Sequence, residues 1–117
     1  MAGKILIEVC CGSVDDTVEA ERDGADRIEL NASLFFGGLT PSVGSIIEAK
    51  RRSNIPVMVM IRPRGGGFCY TEAEMAVMLR DVESAVEHGA DGLVLGILRP
   101  NDSDTRQGNR SVDEGLH

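Results

Sequence analysis

Short apolar runs alternate with longer amphipathic stretches along this chain, and two periodicities separate them. Ile5 to Cys10 reads as a first strand. Ser13 is placed to cap a helix running toward Asp23, with Asp15 and Asp16 favourably set in its first turn. Gly24 ends that helix, and Arg27 to Leu30 make a second strand. Asn31 to Pro41 form a loop containing Gly37-Gly38, and Ser42 opens a helix through about Arg52. Val57 to Ile61 are the third strand. Thr71-Glu72-Ala73-Glu74 has capping-box spacing and starts a long helix. On one face of it recur Met75, Met78, Leu79, Val82, Ala85 and Val86. Gly89 stops this helix, and Gly92 to Gly96 form a fourth strand.

The order β-α-β-α-β-α-β predicts an α/β fold with a parallel sheet and crossover helices. Gly24-Ala25-Asp26-Arg27-Ile28-Glu29-Leu30 is echoed by Gly89-Ala90-Asp91-Gly92-Leu93-Val94-Leu95. Either a repeated βα architecture or one common turn used twice explains the echo. From Arg99 to His117 only Val112 and Leu116 are sizeable apolar residues, so 99–117 reads as a disordered polar tail.

Side chains alternate across a strand. Leu6, Glu8 and Cys10 therefore share one face, and Ile5, Ile7 and Val9 the other. Arg27, Glu29 and Asn31 oppose Ile28 and Leu30, and Met58, Met60 and Arg62 lie together. One side of the sheet is expected to be apolar and covered by helices. The other gathers Glu8, Cys10, Arg27, Glu29 and Arg62.

Composition narrows the field. The 117 residues are 42% hydrophobic and 26% charged, enough for one modest core. Aromatics make up only 3%, so aliphatic residues must fill it. A net charge of −7 argues against a general binder of nucleic acid or anionic membranes. No apolar run approaches the ~20 residues of a membrane span, and no signal peptide is evident, so a cytoplasmic protein is expected. The three cysteines would stay thiols there. No Cys-x-x-Cys supports a structural zinc site.

The third strand runs directly into Arg62-Pro63-Arg64-Gly65-Gly66-Gly67-Phe68. Planar guanidiniums beside glycine amides at a strand end suit a carboxylate or phosphate. An ordinary turn with solvated arginines fits the same letters. Cys10 and Cys11 invite a soft metal such as Cu(I). Alternation aims them at opposite faces, so the pair chelates only if the strand ends there. Met58 and Met60 read as core, and Cys69 as a free thiol. His88 suits a helix C-terminus, and with His117 in the tail no Ser-His-Asp triad assembles.

Arg62-Pro63-Arg64-Gly65-Gly66, with Gly24 to Leu30 and Gly37-Gly38-Leu39-Thr40-Pro41-Ser42, resembles the copper homeostasis protein CutC family over about the first hundred residues. The resemblance implies a TIM barrel, of which residues 1–98 would be the first half, since a full barrel needs ~250 residues. A half-barrel leaves a sheet edge uncovered, which favours a homo-oligomer. The resemblance also implies copper homeostasis through Cu(I) binding or trafficking. Cys10 matches one cysteine proposed for copper in the family, and the second falls at Asn31. The residues themselves keep a different class open, an enzyme for a small anionic metabolite. There Arg62, Arg64 and the Gly65, Gly66 and Gly67 amides hold the anion, while Glu8 and Glu29, beside Arg27, move protons.

Overall fold

The computed structural model describes residues 4–100. Its strands are β1 (Glu8–Cys11), β2 (Arg27–Leu30), β3 (Val57–Met60) and β4 (Gly92–Val94). The helices between them are α1 (Val14–Arg22), α2 (Val43–Arg52) and α3 (Glu72–Glu87). All neighbouring strands pair in parallel, in the spatial order β1-β2-β3-β4. The Asn31–Pro41 connection is a loop with a short 3-10 turn at Leu34–Phe36. No helix among the described residues is long and apolar enough to cross a membrane.

Each helix starts where the sequence offers a hydroxyl. Ser13 Oγ accepts from the Asp16 amide at 3.0 Å, and Ser42 Oγ accepts from the Ser45 amide at 3.1 Å. At α3 the capping box is complete. Thr71 Oγ1 accepts from the Glu74 amide, and Glu74 Oε1 accepts from the Thr71 amide.

The core lies between the helices and one face of the sheet. Cys11, Ile28, Leu30, Val57, Val59 and Ile61 come from that face and its strand ends, and Ile46, Ala49, Met78 and Ala85 from the helices. Burying each larger aliphatic side chain contributes roughly 1.5–3 kcal/mol.

The sheet departs from expectation at both edges. Ile5, Leu6 and Ile7 lie outside β1 and are 80%, 62% and 53% exposed, so Ile5 and Ile7 are not under the helices. Leu79 and Val86 of α3, expected in the core, are also exposed. The reason is shared. Among the described residues no strand lies beyond β1 and no helix beyond α3. Residues 101–117 of the polar tail lie outside the described residues.

The sequence echo is an echo in structure. At each site a glycine with φ near 100° ends a helix, Gly24 at 104° and Gly89 at 99°. The following alanine amide donates back into the helix, Ala25 to Ala20 O and Ala90 to Ala85 O. The aspartate then clasps the strand before. Asp26 donates its amide to Ile7 O and accepts from the Ile7 amide at 2.8 Å. Asp91 donates to Val57 O and accepts from the Val57 amide at 2.8 Å. Lys50 Nζ adds an ion pair to Asp91 at 2.6 Å. The α2-to-β3 connection uses another device, Glu21 accepting from the Asn54 amide. The clasp thus recurs at every second βα unit.

Burial opposes ionisation of Asp91, but Lys50 and the Val57 amide outweigh it and hold the carboxyl below its ordinary range. The Val57 amide is the more buried of the two clasped groups, and its loss strands a donor beside the core. Asp91→Ala is therefore expected to destabilise the fold by about 1–2 kcal/mol in urea unfolding, and Asp26→Ala by less.

Candidate functional site

Parallel register writes the second face of the sheet. Glu8 stands opposite Arg27, and Cys10 opposite Glu29, on β1 and β2. Glu29 in turn stands opposite Met58 on β3, and Met58 opposite Gly92 on β4. A Cβ at Gly92 would lie 2.2 Å from Met58 Cε, so the methionine fills the space a side chain there would need.

Two polar groups form on this face. Arg27 Nε pairs with Glu8 Oε1. One step along the strands, the Cys10 thiol donates to Glu29 Oε1 at 3.5 Å. Asn31 Nδ2 donates to Cys10 Sγ at 3.2 Å, to Glu29 Oε1 at 3.1 Å and to Glu29 O at 3.2 Å. Asn31 is 2% exposed, and its amide is aimed from behind. A Cβ at Gly38 would sit 2.4 Å from Asn31 Oδ1, so only glycine fits there, and its φ of 93° asks for glycine as well.

This setting keeps Cys10 a thiol. Partial desolvation, then the charge of Glu29 and the hydrogen bond to it, push its pKa up from 9.0 to about 11. Cys11 turns to the helix side, where it is buried and its thiol donates to Val9 O. Burial raises its pKa too. The adjacent cysteines therefore do not converge on one point. Among the described residues no three His, Cys, Asp or Glu side chains gather as a metal site.

The arginines of the glycine loop are held mainly by the loops around them. Arg62 Nη2 donates to Gly66 O at 2.8 Å, and its Nη1 to Phe36 O and Gly38 O at 3.4 Å each. Its guanidinium lies 5.0 Å from the Phe68 ring centroid. Its backbone is locked to Thr40, whose Oγ1 accepts from the Arg62 amide at 2.8 Å. Arg64 grips Glu74 with two bonds, Nε to Oε2 at 2.7 Å and Nη2 to Oε1 at 3.1 Å. It also donates to the carbonyls of Gly65, Gly67 and Cys69 and stacks on Tyr70 at 4.7 Å. Carbonyls of Gly65, Gly66 and Gly67 thus face the guanidiniums, and both arginines brace the rim loops. An anion would displace the bonds of the Nη groups, while the buried Arg62 Nε has no hydrogen-bond partner.

Glu74 and Thr40 are the partners that sequence reasoning passed over. Glu74 was legible only as a capping residue, ten positions beyond Arg64. Thr40 belonged to a loop with no periodicity to place it.

A model of the CutC family matches residues 5–112. A human protein named copper homeostasis protein cutC homolog is 54% identical over 97 residues, covering 83% of this chain and 36% of that protein. A Treponema denticola protein named as a family protein CutC is 52% identical over 95 residues, 81% of this chain and 39% of that one. The chain spans well under half the length of either relative. The crystal structure of a CutC protein from Streptococcus agalactiae matches with a TM-score of 0.79 and 40% identity, over 97% of this chain and 57% of that one. The sheet described above is part of that TIM-barrel-like fold.

Hydrogen bonds from Arg64, then from the Thr71 amide, lower the Glu74 pKa from 4.5 to about 2. A depressed carboxyl stabilises the fold above its unfolded value, and that contribution disappears as pH falls toward 2. Glu74→Gln is expected to lower the urea midpoint at pH 7, with the gap from wild type closing between pH 4.5 and 2.

Proposed function

The chain belongs to the CutC family, and on that premise we propose that it serves copper homeostasis in the cytoplasm by taking Cu(I) at the Cys10 sulfur. The observation that carries this reading is Cys10 itself, the only cysteine on the open face of the strands among the described residues. Thiolate is the soft donor that Cu(I) prefers. Asn31 stands 3.2 Å from that sulfur, at the position matching the second cysteine proposed for the family. A carboxamide is a poor Cu(I) donor, so of the Cys10–Asn31 pair the thiolate alone holds the ion.

Uptake also releases a proton, because Cys10 is held as a thiol. Affinity therefore rises with pH across the neutral range, by up to about tenfold per unit.

One observation favours a second reading, an enzyme for a small phosphate- or carboxylate-bearing metabolite. Glu8, Arg27 and Glu29 share the open face with Cys10, and Arg62 stands at its rim. Arg27 is committed to Glu8, which leaves Glu29 as the proton acceptor.

Titration of Cu(I) against a chromogenic competing chelator separates the two. Cys10→Ser is expected to weaken binding at least tenfold, Cys11→Ser to leave it unchanged, and Asn31→Cys to tighten it at least tenfold. Equal affinity in wild type and Cys10→Ser overturns the copper reading. Phosphate that protects the Glu29 and Arg62 regions from exchange would then favour the enzyme.

A further inference from the structure

We propose that the Nε–Nη2 edge of Arg62 and the Tyr70 hydroxyl form a subsite for one carboxylate or phosphate group of a ligand. The inference rests on the anionic-metabolite reading above and names the atoms that hold the charge.

Arg62 is a cation without a counter-charge. Among the described residues Glu8 pairs with Arg27, Glu74 with Arg64 and Asp91 with Lys50, but no carboxylate lies within ion-pair distance of Arg62. Its Nη groups donate only to the carbonyls of Phe36, Gly38 and Gly66. Its Nε is buried and has no hydrogen-bond partner. Buried donors are nearly always paired, and a desolvated charge is costly until one of opposite sign meets it. The Tyr70 hydroxyl is a second buried group without a partner. Burial raises its pKa, while the charges of Arg62 and Arg64 and its closeness to the Arg62 guanidinium act the other way. The two orphans are therefore neighbours, yet no hydrogen bond of good geometry joins them. With its pKa above the ordinary 10.0, the hydroxyl keeps its proton at neutral pH and can donate a hydrogen bond.

The same loop shows what such an edge takes. Two positions on, Arg64 uses Nε and Nη2 together to grip both oxygens of Glu74, at 2.7 and 3.1 Å. A guanidinium fork fits a planar carboxylate or two phosphate oxygens in this way. On Arg62 the matching edge has an idle Nε, and its Nη2 is taken by a neutral acceptor, Gly66 O at 2.8 Å. Gly66 is exposed, has a φ of 86° and lies between two further glycines, so this carbonyl can swing away at small cost. Phe68, stacked at 5.0 Å, and the carbonyls of Phe36 and Gly38 hold the plane of the guanidinium meanwhile. An oxyanion arriving there replaces one neutral acceptor with a charged one, engages the idle Nε and receives a hydrogen bond from Tyr70.

Arginine Nε–H signals in proton–nitrogen correlation spectra of the full chain read the site directly. Inorganic phosphate and acetate are titrated in separate arms, at constant ionic strength in chloride. The Arg62 signal, assigned by its loss in Arg62→Lys, is expected to shift and saturate with at least one of them, while that of Arg64 stays in place. Saturation by acetate alone identifies a carboxylate ligand, and by phosphate alone a phosphorylated one. Tyr70→Phe keeps the ring under Arg64 and is expected to weaken binding roughly tenfold. Phosphate that protects the Glu29 and Arg62 regions from exchange with equal affinity in wild type and Tyr70→Phe overturns the subsite and leaves the anionic-metabolite reading standing. An Arg62 signal that answers neither anion also overturns the subsite, and if exchange protection is absent as well, that reading falls with it.

Discussion

Register between β1 and β2 is the constraint from which the site follows. Pairing Cys10 with Glu29 and Glu8 with Arg27 places the thiol on a carboxylate and the second carboxylate on a guanidinium. A slip of one residue would exchange the faces. It would bring Cys11 and Leu30 to the open side and drive Glu29 under the helices. The apolar alternation of Ile28, Leu30, Val57 and Val59 forbids that slip, because each of these side chains is fully buried. The clasps of Asp26 on Ile7 and Asp91 on Val57 fix the same register from the opposite end of the strands. Core burial and backbone hydrogen bonding therefore select one arrangement of the polar face.

Rigidity at the rim comes from the groups that looked most like a ligand cradle. A guanidinium has five donors. Loop carbonyls take both Nη groups of Arg62 and leave its buried Nε without a partner, while carbonyls and the Glu74 carboxylate take the donors of Arg64. Arg62 ties the β2-to-α2 loop to the glycine loop, and Arg64 ties the glycine loop to the start of α3. Gly66, at a φ of 86°, lets the backbone turn its carbonyl toward Arg62. Beside this rim stands the inner row of Cys10, Glu29 and Asn31. Asn31 is the unusual member, since one buried amide nitrogen serves the sulfur and the carboxylate together. Gly38 makes room for it.

What could be read from the letters was what depends on neighbours in sequence. Strand alternation separated Cys10 from Cys11 and put Asn31 with Glu29. The Thr71 to Glu74 spacing gave the cap of α3, and the two Gly-Ala-Asp segments marked equivalent turns. Contacts made at long range were not legible. Nothing local distinguishes an arginine that binds a ligand from one that grips Glu74 or the Phe36 carbonyl. The exposure of Ile5, Ile7, Leu79 and Val86 had no signature either. Periodicity reports which residues share a face, and whether that face is covered depends on strands and helices beyond the segment.

The account turns on partial desolvation and Glu29 holding Cys10 as a protonated thiol until something displaces the proton. Thiolate absorbance followed against pH, with Cys11 and Cys69 replaced by serine, measures this in the absence of any metal. Half-ionisation near pH 11 is the expected result. Half-ionisation at or below the ordinary 9.0 would mean that Cys10 and Glu29 do not face each other as described.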